Sequence, residues 1–344
     1  MRALRITAWG GPLQEVKIDP PVPNDSGLLV RVEACGIGLT VVNCMQGQLG
    51  DDPSYLPLTP GHELVGIVEA AGPAVSPALA GALIGQRVAA YFYLICGSCP
   101  NCLSGEDSLC IRFRGNVGVA INGGYAEYAV IPALNAIPVP DGIDPVAATT
   151  IADAIATPVH VARRARIEPG TRVAVLAAGG GVGIHMVQVA RAYGGDVVGL
   201  DVVPSKLAYL ADELGIAAID SADFGSVTLP AAWGGQADVI VDLYGRAPAQ
   251  RWAIDHLARN GRLVALTTFP GESFGLGSRE LVLRQLSVLG SRYNSRYEVG
   301  LAAGFVRSGR VRPVVSSVVG PEQVAATLDA IRAGTILGRA ALAW

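Results

Sequence analysis

Hydrophobic and polar positions are patterned in two different ways along this chain. Through residue 150 the apolar residues fall in short β-type runs, LLVRVEACGI, LVGIVEAAG, GQRVAAYFYLI and GGYAEYAVIP, separated by Gly and Pro. From Ile151 the texture changes. IADAIATPVHVARRA has helical spacing, and TRVAVLAA is an unbroken apolar run of the buried-strand kind. GVGIHMVQVARAYG is helical again, DVVGLD is a second strand, and KLAYLADELG a further helix. ADVIVDLYG and GRLVALTTF read as strands. Strands alternating with helices predict parallel β-α-β units. Near the C-terminal end, EVGLAAGFVRSG and PEQVAATLDAIRAG are predicted helices around the strand VRPVVSSVV. No internal repeat is visible.

Composition adds limits. A chain of 344 residues suggests two domains, and 51% hydrophobic residues suffice for more than one core. The formal net charge of −3 gives no general attraction to nucleic acid. The basic patch Arg163, Arg164, Arg166 reads as a solvated helix end. No apolar run reaches the roughly 18 residues of a membrane span. The start, MRALRITAWGG, lacks a long apolar segment, so the cytoplasm is the expected compartment.

Four of the six cysteines lie close together in CGSCPNCLSGEDSLC: Cys96, Cys99, Cys102 and Cys110. The spacing C-x2-C-x2-C-x7-C brings four thiolates to one centre. Four thiolates leave no open position, so the expected ion is a structural zinc. A disulfide framework suits small secreted domains instead, and the spacing departs from that of ferredoxin clusters. Cys35 and Cys44 read as buried, inert thiols.

The strand TRVAVLAA runs into GGGVG, and a helix follows at once. Gly180 and Gly183 fill the last two places of a G-x-G-x-x-G pattern, with Ala178 in the first. Gly180 lets backbone approach a pyrophosphate, Gly183 lets helix and strand pack closely, and Gly181 and Val182 complete the loop. The helix N-terminus offers unpaired N–H groups to phosphate. Asp201 ends the second strand, eighteen residues beyond Gly183. A carboxylate there accepts hydrogen bonds from the ribose hydroxyls of NAD and repels the extra phosphate of NADP. A helix-cap or turn aspartate is the bland alternative. Lys206 reads as a solvated helix residue that could flank the adenosine ribose.

With these landmarks in order, the chain resembles the zinc-containing alcohol dehydrogenase family, the medium-chain dehydrogenase/reductases. The resemblance rests on ACGIGLT at 34–40, PGHELVGIV at 60–68, the cysteine lobe at 96–110, GGYAEYAV at 123–130, GGGVG at 179–183 and LGRAAL at 337–342. It implies an α/β fold: a doubly wound parallel (Rossmann) nucleotide domain over 151–293, and a β-rich GroES-like catalytic domain over 1–150 and 294–344. The active site is then expected in the cleft between them, lined by GQLGDDPSYLP and TTFPGESFGLGS. The implied assembly is a homodimer or homotetramer, with the strand RQLSVLGS at 284–291 as a candidate pairing edge. A small-molecule substrate is implied, and no nucleic-acid or membrane partner.

The family's catalytic zinc has three recurring ligand positions. Gly38 stands where the first, a cysteine, is expected. The second is His62 of GHE, with Glu63 beside it. The third, in a C-x-x-x-T pattern, falls on Asp153 with Thr157 following. Val41 and Asn43 replace the aspartate and histidine of a proton relay. The resemblance therefore implies catalytic roles for Thr40, His62, Glu63 and Asp153. It leaves open whether His62 and Asp153 hold a second zinc. Asp153 and Thr40 could instead cap helices, and His62 could be a buried turn residue. Arg339 is expected at the pyrophosphate or the surface. Two activities are implied: NAD(H)-dependent hydride transfer between nicotinamide and a small alcohol or carbonyl, or zinc-independent reduction of an activated C=C bond. A non-catalytic NAD-binding protein is the third reading.

Overall fold

The computed structural model describes residues 1–267 and 273–344. Part of the segment expected to line the cleft, residues 268–272, lies outside the described residues. The chain forms two compact units. One comprises Met1–Ala156, Asn294–Gly309 and Pro313–Trp344, the other Thr157–Tyr293 and Arg310–Arg312. Residues 151–156, which helical texture assigns to the nucleotide domain, fall in the first unit.

The first unit is built on a mixed sheet. Its strands run in the spatial order Val315–Val319, Arg339–Ala343, Gly27–Ile37, Leu64–Ala71, Arg87–Ala90 and Ala136–Pro138, and Tyr128–Pro132 also pairs with Gly27–Ile37. All these pairs are antiparallel except Val315–Val319 with Arg339–Ala343. The long strand GLLVRVEACGI is rich in β-branched and aliphatic residues, and most of it is buried. The run GQRVAAYFYLI leaves the sheet at Ala90 rather than continuing as strand. Beyond it, the Tyr91 amide donates to the Asn135 carbonyl and the Leu94 amide to the Gly115 carbonyl. This turns the chain into the cysteine lobe.

The second unit is a six-stranded parallel sheet. Its strands are Arg172–Leu176, Asp196–Asp201, Ala217–Asp220, Ala237–Asp242, Leu257–Ala265 and Ser287–Gly290. Counted along the chain, they lie in the order 3-2-1-4-5-6. This doubly wound order places a switch point between the first and fourth strands, where such sheets bind ligands beyond the strand ends. Val173, Ala174, Val175 and Leu176 are all buried, because helices cover both faces of a parallel sheet. Val198, Ile240, Leu263, Trp252 and Ile254 belong to the core of this unit. Among the described residues, Ser287–Gly290 pairs only with Leu257–Ala265 and forms one edge of the sheet. No helix among the described residues is long and apolar enough to cross a membrane.

Candidate active site

In the cysteine lobe the four sulfurs gather as the spacing predicts. Cys96–Cys102, Cys99–Cys102, Cys99–Cys110 and Cys96–Cys110 are separated by 4.0, 3.5, 3.9 and 3.6 Å. A zinc ion with bonds of about 2.3 Å to four sulfurs gives tetrahedron edges of about 3.8 Å. A disulfide needs about 2.05 Å, and all four cysteines are free. The lobe therefore fits a zinc ion. The Ser98 backbone amide, helped by the Arg112 guanidinium, holds the Cys96 thiol down to about 5, in the thiolate form a metal needs. Cys35 and Cys44 stay outside the lobe as buried thiols, and burial pushes Cys44 up to about 12.

The nucleotide loop lies at the switch point of the second unit. The strand Arg172–Leu176 is followed by Ala177, whose φ of 56° turns the chain sharply. A Cβ on Gly183 would run into the Ala177 carbonyl and lie 2.9 Å from Ala178 Cα. Only glycine lets the helix Gly183–Ala192 start so close to the strand. Around Gly180, by contrast, a Cβ would meet only the Ala177 oxygen, at 3.3 Å. The loop therefore leaves room for a phosphate above it. Asp201 ends the second strand and is buried. Its Oδ2 accepts from the Gly179 amide at 2.8 Å, and its Oδ1 from the Val202 and Val203 amides at 2.9 and 3.1 Å. These bonds fix the carboxylate; Oδ1 already accepts twice, and Oδ2 retains acceptor capacity for a ribose hydroxyl. The loop and Asp201 thus fit a dinucleotide.

Lys206 is a correction. It is buried, not solvated, and its side chain packs over Gly179, where a Cβ would meet Lys206 Cβ at 2.5 Å. Burial lowers its ammonium, opposed by the Asp201 charge.

The third cluster lies within the first unit. His62, Glu63, Asp153 and Arg339 are 3%, 1%, 5% and 8% exposed. Gly61, with φ of 98°, turns the chain into the strand Leu64–Ala71. No larger residue fits there, since a Cβ would collide with the Tyr125 ring and lie 2.9 Å from Cys35 Sγ. His62 then packs against Phe92, with ring centroids 4.7 Å apart. Asp153 comes from Ile151–Ile155, a π-helical turn closed by the Ile155 amide donating to the Thr150 carbonyl at 2.8 Å. Such wide turns often mark functional sites. The turn is anchored from outside: Asn294 Nδ2 donates to the Ala152 carbonyl at 2.9 Å, and the Tyr91 hydroxyl donates to the Asn294 carbonyl at 2.9 Å. The sequence pattern gave no sign of this support, because its members are scattered along the chain.

Two capping alternatives fail. Thr150, not Asp153, precedes the π turn, and Gly38 rather than Thr40 precedes the helix Leu39–Met45. Thr40 lies in the first turn of that helix, half-buried. Asp153 Oδ2 lies 3.3 Å from His62 Nε2. Arg339 Nη2 donates to Glu63 Oε1 at 2.8 Å and to Asp153 Oδ2 at 3.1 Å. Burial pushes the Glu63 carboxyl up, opposed first by the Arg339 guanidinium and raised further by Asp153. Donor atoms of His62, Glu63 and Asp153 lie within 4.8 Å of one another, close enough to consider a metal. Yet Gly38 supplies no donor, and a guanidinium already contacts both carboxylates. The cluster is a poor fit for a second zinc.

Comparison with known proteins bears on the family and the fold. Residues 24–141 match the family model described as alcohol dehydrogenase GroES-like domain, and residues 181–308 that of zinc-binding dehydrogenase. An alcohol dehydrogenase of Geobacillus stearothermophilus is 31% identical, over 99% of both chains. An NAD-dependent alcohol dehydrogenase of Sulfurisphaera tokodaii is 28% identical, again over 99% of both. The cobalt- and zinc-bound thermostable alcohol dehydrogenase of Pyrobaculum aerophilum is a close structural match. Its TM-score is 0.87 at 30% identity, covering 100% of this chain and 99% of that one. Cysteine lobe, 3-2-1-4-5-6 sheet and full-length relatives converge on one conclusion: this chain belongs to the zinc-type alcohol dehydrogenase family of medium-chain dehydrogenase/reductases.

Proposed function

We propose that the protein is an oxidoreductase that transfers hydride between NAD(H) and a small alcohol/carbonyl pair. The observation that carries this reading is the doubly wound sheet with Asp201 fixed at the tip of its second strand, in a chain whose full-length relatives are named alcohol dehydrogenases. Nicotinamide, when bound, supplies the hydride chemistry itself. In this reading Gly180, Gly181, Val182 and Gly183 cradle the pyrophosphate. Asp201 binds the ribose and disfavours NADP, and the Lys206 stem supports Gly179 beneath the cofactor. Cys96, Cys99, Cys102 and Cys110 hold one structural zinc, which stiffens the lobe and takes no part in the reaction.

In alcohol oxidation, Thr40 passes the hydroxyl proton on toward solvent, giving up its own proton as it takes the substrate's, while hydride leaves the carbon. In the reverse direction its hydroxyl donates to the developing alkoxide. His62, hydrogen-bonded to Asp153, assists that charge, and Glu63 keeps the local charge balance. The names of the relatives favour the alcohol/carbonyl pair over reduction of an activated C=C bond. The cytoplasm is the proposed compartment. The proposed assembly is a homodimer or homotetramer that pairs through Ser287–Gly290, an open sheet edge.

The test is a panel of alcohols, aldehydes, ketones and enones with NAD(H) and NADP(H), on protein of known zinc content. Turnover of alcohols or carbonyls with NAD(H) in preference to NADP(H) is the expected result. Turnover of enones alone would move the assignment to C=C reduction. Tight NADH binding without any turnover would leave only a binding protein.

A further inference from the structure

We propose that Arg339 takes the place of the second metal in this chain. Its guanidinium is the resident cation of the His62–Glu63–Asp153 cluster, and the protein carries a single zinc, in the cysteine lobe. The inference rests on the family membership and on the reading of the lobe as a zinc site, not on any particular substrate.

The argument begins with register. Ala340 pairs with Ile37 and Ala341 with Gly36 across antiparallel strands, so Arg339 lies level with Gly38. A Cβ built on Gly38 would overlap Arg339 Nη1 and lie 3.4 Å from Cζ. The space a side chain at 38 would fill is thus already filled by guanidinium. Its other terminal nitrogen bridges Glu63 Oε1 and Asp153 Oδ2, at 2.8 and 3.1 Å. Two carboxylates this deeply buried require a positive partner. Arg suits this role because its fork stays charged and donates to two acceptors at once. A zinc ion needs oxygen ligands at about 2.0–2.2 Å. Here Glu63 Oε1 and Asp153 Oδ2 face an N–H donor at hydrogen-bond distance, and a dication would be added beside a fixed cation. Gly38 is therefore more than a missing ligand: its lack of a side chain is the room that Arg339 needs. Residues 38 and 339 form a steric pair: a side chain at 38 would press Arg339 Nη1 aside, while Nη2 keeps its two carboxylate partners.

The test counts zinc by elemental analysis in full-length protein loaded with zinc and then dialysed free of excess. NADH binding, followed by fluorescence, reports that each variant is folded. Wild type is expected to hold one ion per chain, lost in Cys99→Ser. Gly38→Cys is expected to hold one, since Arg339 still neutralises the carboxylates. The double variant Gly38→Cys/Arg339→Met is expected to hold two. Two ions in wild type overturn the proposal, as does one that survives Cys99→Ser and is lost in Asp153→Asn. Two ions in Gly38→Cys alone would assign the exclusion to the missing ligand rather than to Arg339. A single ion in a double variant that still binds NADH would refute the guanidinium as the barrier. If the double variant fails to fold, the wild-type, Cys99→Ser and Gly38→Cys counts together still test the proposal. Failure of the hydride-transfer reading is seen separately, in the turnover panel.

Discussion

Replacing Arg339 by Met, in buffer without added zinc, removes the cation from a cluster in which Glu63 and Asp153 are almost wholly buried. The side-chain volume is roughly kept, so the effect is electrostatic. An unpaired buried carboxylate escapes its penalty by taking up a proton. At pH 7, protonating a glutamic acid with an ordinary pKa of about 4.3 costs about 3.7 kcal/mol, which caps the loss per carboxylate. This agrees with the roughly 3–5 kcal/mol lost when one partner of a buried pair is removed. For a unit of this size each kcal/mol lowers the melting temperature by roughly 2–4 °C, so the expected fall is about 7–15 °C. The sign with pH follows. Without Arg339 the folded state holds its proton more tightly than the unfolded state, so stability falls as pH rises above the ordinary carboxylate range. At pH 5 the same protonation costs only about 1 kcal/mol, and most of the difference from wild type should vanish. Thermal unfolding followed by circular dichroism at both pH values measures this. A shift below about 2 °C at pH 7, or an equal shift at both, would refute the view of Arg339 as the buried counter-ion.

Three further outcomes are expected. Asp201→Asn removes a charged acceptor of the ribose; such hydrogen bonds contribute about 1.5–3 kcal/mol. NADH affinity should drop by about ten-fold or more while the preference against NADPH narrows, as read by fluorescence titration with both. Gly183→Val forces the helix Gly183–Ala192 off the Ala177 carbonyl, so NADH binding should be lost while circular dichroism stays near that of wild type. Cys99→Ser breaks the tetrahedral set, and because metal binding there is folding free energy, the lobe should unfold locally. Limited proteolysis should then cut within 96–113, where wild type loaded with zinc resists.

Much of this molecule is legible in its residues, for identifiable reasons. The cysteine lobe is readable because short spacing alone brings four sulfurs together. The strands after Thr171 are readable because burial on both faces leaves an unbroken apolar run. The loop at Gly180 and Gly183 is legible because close packing at Gly183 admits no Cβ and the strand–glycine–helix order marks the turn. What escapes the sequence depends on long-range register. Arg339 meets Glu63 and Asp153 only because the strand Arg339–Ala343 pairs beside Gly27–Ile37, and no local pattern encodes that. The burial of Lys206 escapes for the same reason, since helical spacing does not reveal that its stem covers Gly179. The π turn at Ile151–Ile155 reads as ordinary helix because its composition favours helix. Its carbonyl at Ala152 is met by Asn294, a residue 142 positions away that no local pattern reveals.

The pairing of Arg339 with Glu63, 276 residues away, bears on how the protein is born. Glu63 and Asp153 leave the ribosome long before their counter-ion exists. At roughly 5–20 residues per second, the 186 residues from Asp153 to Arg339 take about 10–40 s to translate. During that interval the Ala34–Ile37 end of the long strand stays open, a sticky margin exposed to neighbouring nascent chains. The six-stranded unit, made almost wholly of contiguous chain, is free to mature first. A slowdown of translation downstream of residue 153 would prolong this vulnerable window and lower the yield of native protein without altering a single amino acid.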